Sequence, residues 1–391
     1  MIANSKKAVL SVTVLAASLA LAMVAARAQS GGAAAAPAAP AQQTPPPSMA
    51  GKKAGEYYKN IQVLKDLDAE KLRPSMDFIT VSLGVECEFC HVGTIDGKEN
   101  FDKDDKLPKA TARKMMLMTN EINKANFNGN RNVTCSTCHH GSQTPVSVPA
   151  VRDSDSPPPA REAGRGEGGP PPAAPPTADQ VLAKFAQAVG GADALAKITT
   201  RIEKGNLIFG PNPTPIDLFM KAPDKRVTVS HGPGGDSFTA FDGTSGWLSG
   251  RRGSTDMNSI DSHSAMVDAI FSPATDLKKV FPQMRGARPD KIGNEDVYML
   301  LARGPNTPTV RLYFDQQTGL LVRLIKYNDV GLGQMPVQVD YADYREADGI
   351  KIPFRWTLSR PNGRFTIQID SVQQNVPIDD SKFTKPAAPT P

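Results

Sequence analysis

Between residues 51 and 130 the apolar positions fall at helical intervals. Tyr57 to Leu67 and Met76 to Leu83 each carry an apolar stripe at that spacing. Lys109 to Phe127 shows it more strongly, with Met115, Met118 and Ile122 on one face and neither proline nor glycine inside. Asn128-Gly129-Asn130 ends that helix. After residue 176 the pattern changes. Thr177-Ala-Asp-Gln180 reads as a capping box ahead of a stripe at Val181, Leu182, Phe185 and Val189. Gly190-Gly191 interrupts this stripe, and a second short helix resumes over Ala194 to Ile198. From there the chain reads as strands and hairpins. Asn362-Gly363 separates Trp356–Ser359 from Phe365–Val372, and Asp348-Gly349 separates Val337–Tyr344 from Ile350–Trp356. Thr318-Gly319, with a longer loop, separates Val310–Phe314 from Leu320–Lys326. Strands that follow one another without long helices predict an antiparallel sheet.

Two stretches carry no apolar period. Residues 29–50 are mostly alanine, proline and glutamine, and residues 143–178 are dominated by proline, glycine, alanine and charges. Such segments bury too little apolar surface to fold, and they read as a tether and a spacer. The expected organisation is therefore multidomain: a signal peptide over 1–28, the tether 29–50, a small all-α domain over 51–142, the linker 143–178, and an α+β antiparallel domain over 179–386. The small domain is too short for a large core of its own, and a bound cofactor would supply the missing apolar mass.

The signal peptide rests on Lys6 and Lys7, the apolar run Ala8 to Ala26, and small residues at Ala26 and Ala28. Cleavage is expected after Ala28, giving an exported, periplasmic or envelope protein. No cysteine follows the run, so lipid attachment there is not expected, and no later stretch is apolar enough to span a bilayer. With 45 Lys+Arg against 40 Asp+Glu, three of those cations in residues 1–28, the remaining charge is close to balanced. That balance gives no reason to expect nucleic acid as a partner.

The four cysteines sharpen the picture. They form two CxxC pairs, each followed at once by histidine: Cys87-Glu-Phe-Cys90-His91 and Cys135-Ser-Thr-Cys138-His139. CxxCH is a haem-attachment pattern. Two thiols three positions apart can add to the two vinyl groups of one haem, and the next residue places an imidazole under the iron. Two competing readings are a four-thiolate zinc site, with 44 residues between the pairs, and a disulfide within each pair. Neither accounts for histidine at the same place twice.

Each iron would need a sixth ligand. His140 adjoins a proximal position and cannot reach the opposite face of the same haem, and His231 and His263 lie beyond the spacer. Methionine is therefore expected, and methionine/histidine ligation raises the reduction potential. Met76 stands eleven residues before Cys87, and Met115, Met116 and Met118 stand 17 to 20 before Cys135. Met76 and Met115 lead, with Met118 as the alternative to Met115. Ordinary core packing is the competing reading for all of them.

These residues resemble half of the cytochrome subunit of photosynthetic reaction centres, a family of helix-then-CxxCH repeats with four haems. The resemblance runs from Asn60-Ile-Gln-Val-Leu64 through Met76, Leu83-Gly-Val-Glu-Cys87 and Cys90-His91. It continues through Lys109, Ala112-Arg113-Lys-Met115, Met118 and Ile122-Asn123 to Val133-Thr-Cys135-Ser-Thr-Cys138-His139. It implies two covalent haem c groups, Met76 and His91 serving the first and Met115 and His139 the second. Only two motifs are present and a further domain follows, which favours a two-haem relative used in another electron-transfer chain. The C-terminal part is similar to lipoprotein-carrier-like envelope proteins, whose fold is an open antiparallel half-barrel around helices. That likeness rests on Val181 to Ile198, Lys204-Gly205, Lys221-Ala-Pro-Asp-Lys225, Phe241-Asp-Gly243, Gly246-Trp247 and Asp343 to Phe354. Trp247 and Trp356 read as core.

The expected function is one-electron transfer without substrate turnover. Donor and acceptor would be other redox proteins, including a membrane complex, and the C-terminal half would carry a lipid or dock to an envelope component. A two-haem peroxidase with one open haem site is the enzymatic alternative.

Overall fold

The computed structural model describes residues 48–95, 98–145, 175–251 and 253–386. The expected signal peptide, nearly all of the tether and most of the linker lie outside the described residues. The first part holds α1 (Ala54–Tyr57), α2 (Ala69–Leu83), a hairpin of β1 (Val92–Ile95) and β2 (Lys98–Asn100), α3 (Leu107–Asn126) and α4 (Cys135–His139). It is helical, as expected, although the hairpin departs from all-α. The helix expected over Tyr57–Leu67 does not form: the one turn here, α1, ends at Tyr57. Asn60 adopts a left-handed conformation, and the chain folds back so that Ala54 N–H donates to the Leu67 carbonyl at 2.7 Å and Gly55 N–H to that of Lys65 at 3.0 Å. Its apolar residues line a loop instead.

Helix α2 ends on Gly84, which is left-handed at φ +65°. There the chain meets the far end of α4: Gly141 N–H donates to the Ser82 carbonyl at 2.8 Å, and a Cβ on Gly84 would run into the Gly141 carbonyl oxygen. Gly129 has a similar φ of +77° but open space around it. Both Gly→Ala variants should lose roughly 1–2 kcal/mol from the left-handed backbone, and Gly84→Ala should lose more because backbone must move. Urea unfolding midpoints compared across the pair would show this difference.

The second part opens with α5 (Ala178–Ala188) and α6 (Ala192–Ala196), near their expected places. The Thr177 side chain caps α5 by accepting from Gln180 N at 3.2 Å, while Gln180 reaches back to Thr177 N at 2.8 Å. Six strands follow: β3 (Thr200–Ile208), β4 (Thr214–Lys221), β5 (Lys225–Gly232), β6 (Gly235–Asp242), β7 (Gly246–Gly250) and β8 (Gly253–Asp256). Then come α7 (Ser259–Asp268) and α8 (Pro273–Val280), which the sequence pattern did not reveal. The last seven strands are β9 (Gln283–Ile292), β10 (Glu295–Arg303), β11 (Thr309–Asp315), β12 (Leu321–Asp329), β13 (Gln334–Ala347), β14 (Ile350–Arg360) and β15 (Gly363–Gln374).

All thirteen strands form one antiparallel sheet in the order β8-β7-β6-β5-β4-β3-β15-β14-β13-β12-β11-β10-β9. Two meanders join where β3 pairs with β15, and β8 and β9 remain as edges, so the sheet is open. The turn at Asp348-Gly349 has positive φ at both residues, the geometry a two-residue hairpin needs. The Asn362 hairpin closes one residue early, with Arg360 opposite Gly363. Phe185 of α5, Leu277 of α8, and Phe271 and Phe281 beside it pack with Leu300, Leu312 and Phe314 of the sheet to form the main core. Trp247 is buried as expected, its indole N–H donating to the Phe383 carbonyl at 2.8 Å.

The helical part packs on the loop after β12. Arg131 pairs with Asp329 at 2.7 Å and also donates to the Gly331 carbonyl. The Ser75 hydroxyl donates to the Val330 carbonyl, and Glu70 accepts from Ser259 N at 3.0 Å. The Phe78 ring lies where any side chain at Gly333 would stand.

Candidate haem-attachment site

The two cysteine motifs sit at the ends of short helical turns. Cys87–Phe89 forms a single 3-10 turn, and Cys135–His139 forms α4, framed by a Thr134/Thr137 capping box. Such turns are too short to be stable alone, and tertiary bonds hold them. For the second motif the anchor is Asn123 of α3, which is 5 % exposed. Its side-chain oxygen accepts from Asn132 N at 3.1 Å and Val133 N at 2.9 Å, and its amide donates to the Val133 carbonyl at 2.7 Å. The sequence offered only an asparagine late in a helix as a hint of this role.

Both motif histidines make the same bond. His91 Nδ1 lies 3.0 Å from the Phe101 carbonyl, and His139 Nδ1 lies 2.9 Å from the Ser142 carbonyl. A carbonyl can only accept, so each Nδ1 carries the proton and each neutral ring keeps its lone pair on Nε2. Burial pushes His91 below the usual imidazole range, which keeps that lone pair available. A backbone partner of this kind orients a metal-binding imidazole and fixes its tautomer.

The Phe101 carbonyl has a second donor. Lys109 Nζ, on a residue 8 % exposed, donates to it at 2.8 Å and to the Lys103 carbonyl at 2.7 Å. Lys109 also pairs with Asp104 at 3.0 Å, as Arg113 does at 2.9 Å, and these bonds hold the Asp104 carboxyl well below the ordinary range. A cation is thus built into the acceptor that holds His91.

The four thiols are free, and among the described residues no three His, Cys, Asp or Glu side chains converge to hold a metal ion. The two pairs do not meet as a four-thiolate cluster, and neither is closed as a disulfide. Burial pushes the Cys90 and Cys135 thiols up.

The methionines divide. Met116 is packed inside at 8 % exposure, whereas Met115 and Met118, three residues apart on α3, are 38 % and 45 % exposed. Met76 is half-buried on α2, which packs against α4. Phe89, Phe101 and Leu117 are also exposed in this part, and the Phe101 ring stands edge-on to His91 at 5.4 Å. Apolar side chains open to the surface around two CxxCH turns fit a large apolar prosthetic group. The donor set fits as well: two thiols and an oriented imidazole at each motif, with thioethers on α2 and α3.

Residues 16–167 match the family described as the photosynthetic reaction centre cytochrome C subunit. The chain is 37 % identical over 100 residues to the reaction center cytochrome c subunit of Thermochromatium tepidum, covering 24 % of this chain and 23 % of that protein. It is 34 % identical over 102 residues to that of Roseobacter denitrificans, covering 24 % and 27 %. The chain therefore spans about a quarter of the length of these relatives. Among solved structures, a putative outer membrane lipoprotein-sorting protein domain from Vibrio parahaemolyticus matches 52 % of this chain and 94 % of its own, at 11 % identity and a TM-score of 0.40. A LolA superfamily protein from Nitrosomonas europaea matches 54 % and 98 %, at 13 % identity and a TM-score of 0.39.

Proposed function

We propose that the chain is an exported two-haem c-type cytochrome that passes electrons one at a time. The observation that carries this reading is the pair of histidines with Nδ1 tied to backbone carbonyls and Nε2 free, each following a free CxxC pair. Cys87 and Cys90 would attach the first haem, with His91 and Met76 as axial ligands. Cys135 and Cys138 would attach the second, with His139 and Met115, or Met118 in its place. Each haem supplies a single-electron iron couple, and no substrate bond is made. The polypeptide's work is to orient the imidazoles, keep the haem faces apolar and set the potentials. Donor and acceptor would be redox proteins, including a membrane complex. The domain boundaries are those expected above, with the C-terminal sheet carrying a lipid or docking to an envelope component.

An optical redox titration of the purified protein should show a Soret band, a low-spin spectrum and two one-electron couples. A spectrum without a Soret band would refute the proposal. Lys109 gives a finer test. Its ammonium competes with His91 for the Phe101 carbonyl and places a positive charge behind the ring, and both effects disfavour ferric iron. Lys109→Met should therefore lower the first haem's potential by about 30–60 mV, a threefold to tenfold shift in a one-electron equilibrium, and leave the second unchanged.

A further inference from the structure

The sheet domain contains a cavity of about 390 Å³, lined chiefly by apolar residues such as Leu218, Ile270, Tyr344 and Trp356. It also holds charges that the cytochrome reading does not use. Arg201, Glu203, Arg226 and Asp268 all line it. Arg201 and Glu203 are only 7 % and 4 % exposed, yet their closest approach is 3.7 Å, longer than a hydrogen bond. The Arg201 guanidinium lies over the Phe271 ring at 5.0 Å, and Arg226 donates from Nη1 to the Asp268 backbone carbonyl at 2.9 Å. Both arginines keep a buried Nε–H with no acceptor.

The charges do not cancel. Lys326, 1 % exposed, takes both oxygens of the Asp268 carboxylate, at 2.7 and 2.6 Å. Glu203 is left to face two guanidiniums, Arg201 and Arg226, and burial pushes its carboxyl up toward the neutral form. With Glu203 ionised, Arg201, Arg226 and Lys326 against Glu203 and Asp268 leave one positive charge over, with two unmade donors, at the wall of a largely apolar cavity whose lining also includes Lys351 and Arg360. Uncompensated charge in an apolar site is strongly unfavourable, and unmade buried donors add to it. An anion that brings its own apolar body would relieve both. The volume is at the small end of ligand pockets, which run from about 300 to 1,000 Å³, and suits one chain better than two.

We propose that this cavity binds a single-chain fatty acid, its carboxylate at Arg201 and Arg226 and its alkyl chain along the apolar wall. The proposal rests on the reading above that this half of the protein carries a lipid, and adds the head-group chemistry and its orientation. Equilibrium dialysis of the full-length protein against laurate and against dodecanol, equal in chain length and different in charge, tests it. Laurate should bind at one per chain, and dodecanol roughly ten- to a hundredfold more weakly, the range expected for hydrogen bonds to a charged group. In Arg201→Met the preference should vanish. Equal binding of the two probes by wild type would overturn the head-group assignment while leaving the apolar site standing. Binding of neither would overturn both. The wild-type comparison decides even where the variant fails to fold.

Discussion

A chain in which Cys135 and Cys138 are both alanine should be recovered with one covalent haem in place of two, and with a loosened second motif. The turn that carries these cysteines is five residues long and has no stability of its own. It is held by the Asn123 bonds before it and by the Ser82–Gly141 bond behind it. Two thioethers would add covalent anchorage at both ends of its single turn. Without them the haem should dissociate on denaturation, and hydrogen exchange at residues 132–141 should rise. Haem content per chain after acid denaturation measures the first effect. The matching Cys87→Ala, Cys90→Ala chain should lose the other haem and keep this one. Two haems retained in either double variant would show that the thiols are not the attachment points.

Met76→Ala should leave one haem without its sixth protein ligand. The expected signs are a high-spin component for half of the haem and a fall in that couple's potential on the order of 0.1 V, since axial ligation is the strongest lever on haem potential. Met115→Ala should do the same to the other haem. If Met118→Ala does so instead, the ligand is the thioether one turn along α3, and both side chains are exposed enough to serve. Met116→Ala should change stability and not the spectrum, because Met116 is already packed in protein. An unchanged low-spin spectrum in Met76→Ala would remove Met76 from the ligand set. An open or differently ligated site would then have to be considered, the peroxidase alternative among them.

The motifs were legible because their chemistry is local. Four cysteines and two histidines at fixed spacing suffice to propose thioethers and axial imidazoles, and the helix over Leu107–Asn126 announced itself by its period. The hairpins at Thr318-Gly319 and Asp348-Gly349 were legible for the same reason, since the turn is read from adjacent residues. What escaped depends on partners far away in the chain. The stripe at Tyr57–Leu67 yields to backbone bonds that fold it back on itself. Helices α7 and α8 are short and fall where the pattern gave only strands and hairpins, yet they and the turn between them place Ile270, Phe271 and Leu277 in the core. Nothing local announced that Arg131 would reach Asp329, or that Lys109 would share an acceptor with His91. Trp356, expected in the core, is half-buried at the cavity wall. The excess cation there appears only when β3, β5, α7 and β12 come together, because each residue alone reads as an ordinary surface charge.

Electron transfer by this chain requires porphyrin joined to it at two places. Intact-mass spectrometry of the purified protein in denaturing acid tests that directly. It should give the polypeptide mass plus two haem groups, surviving conditions that strip non-covalent haem. A mass equal to the amino acids alone would show that no haem is covalently attached.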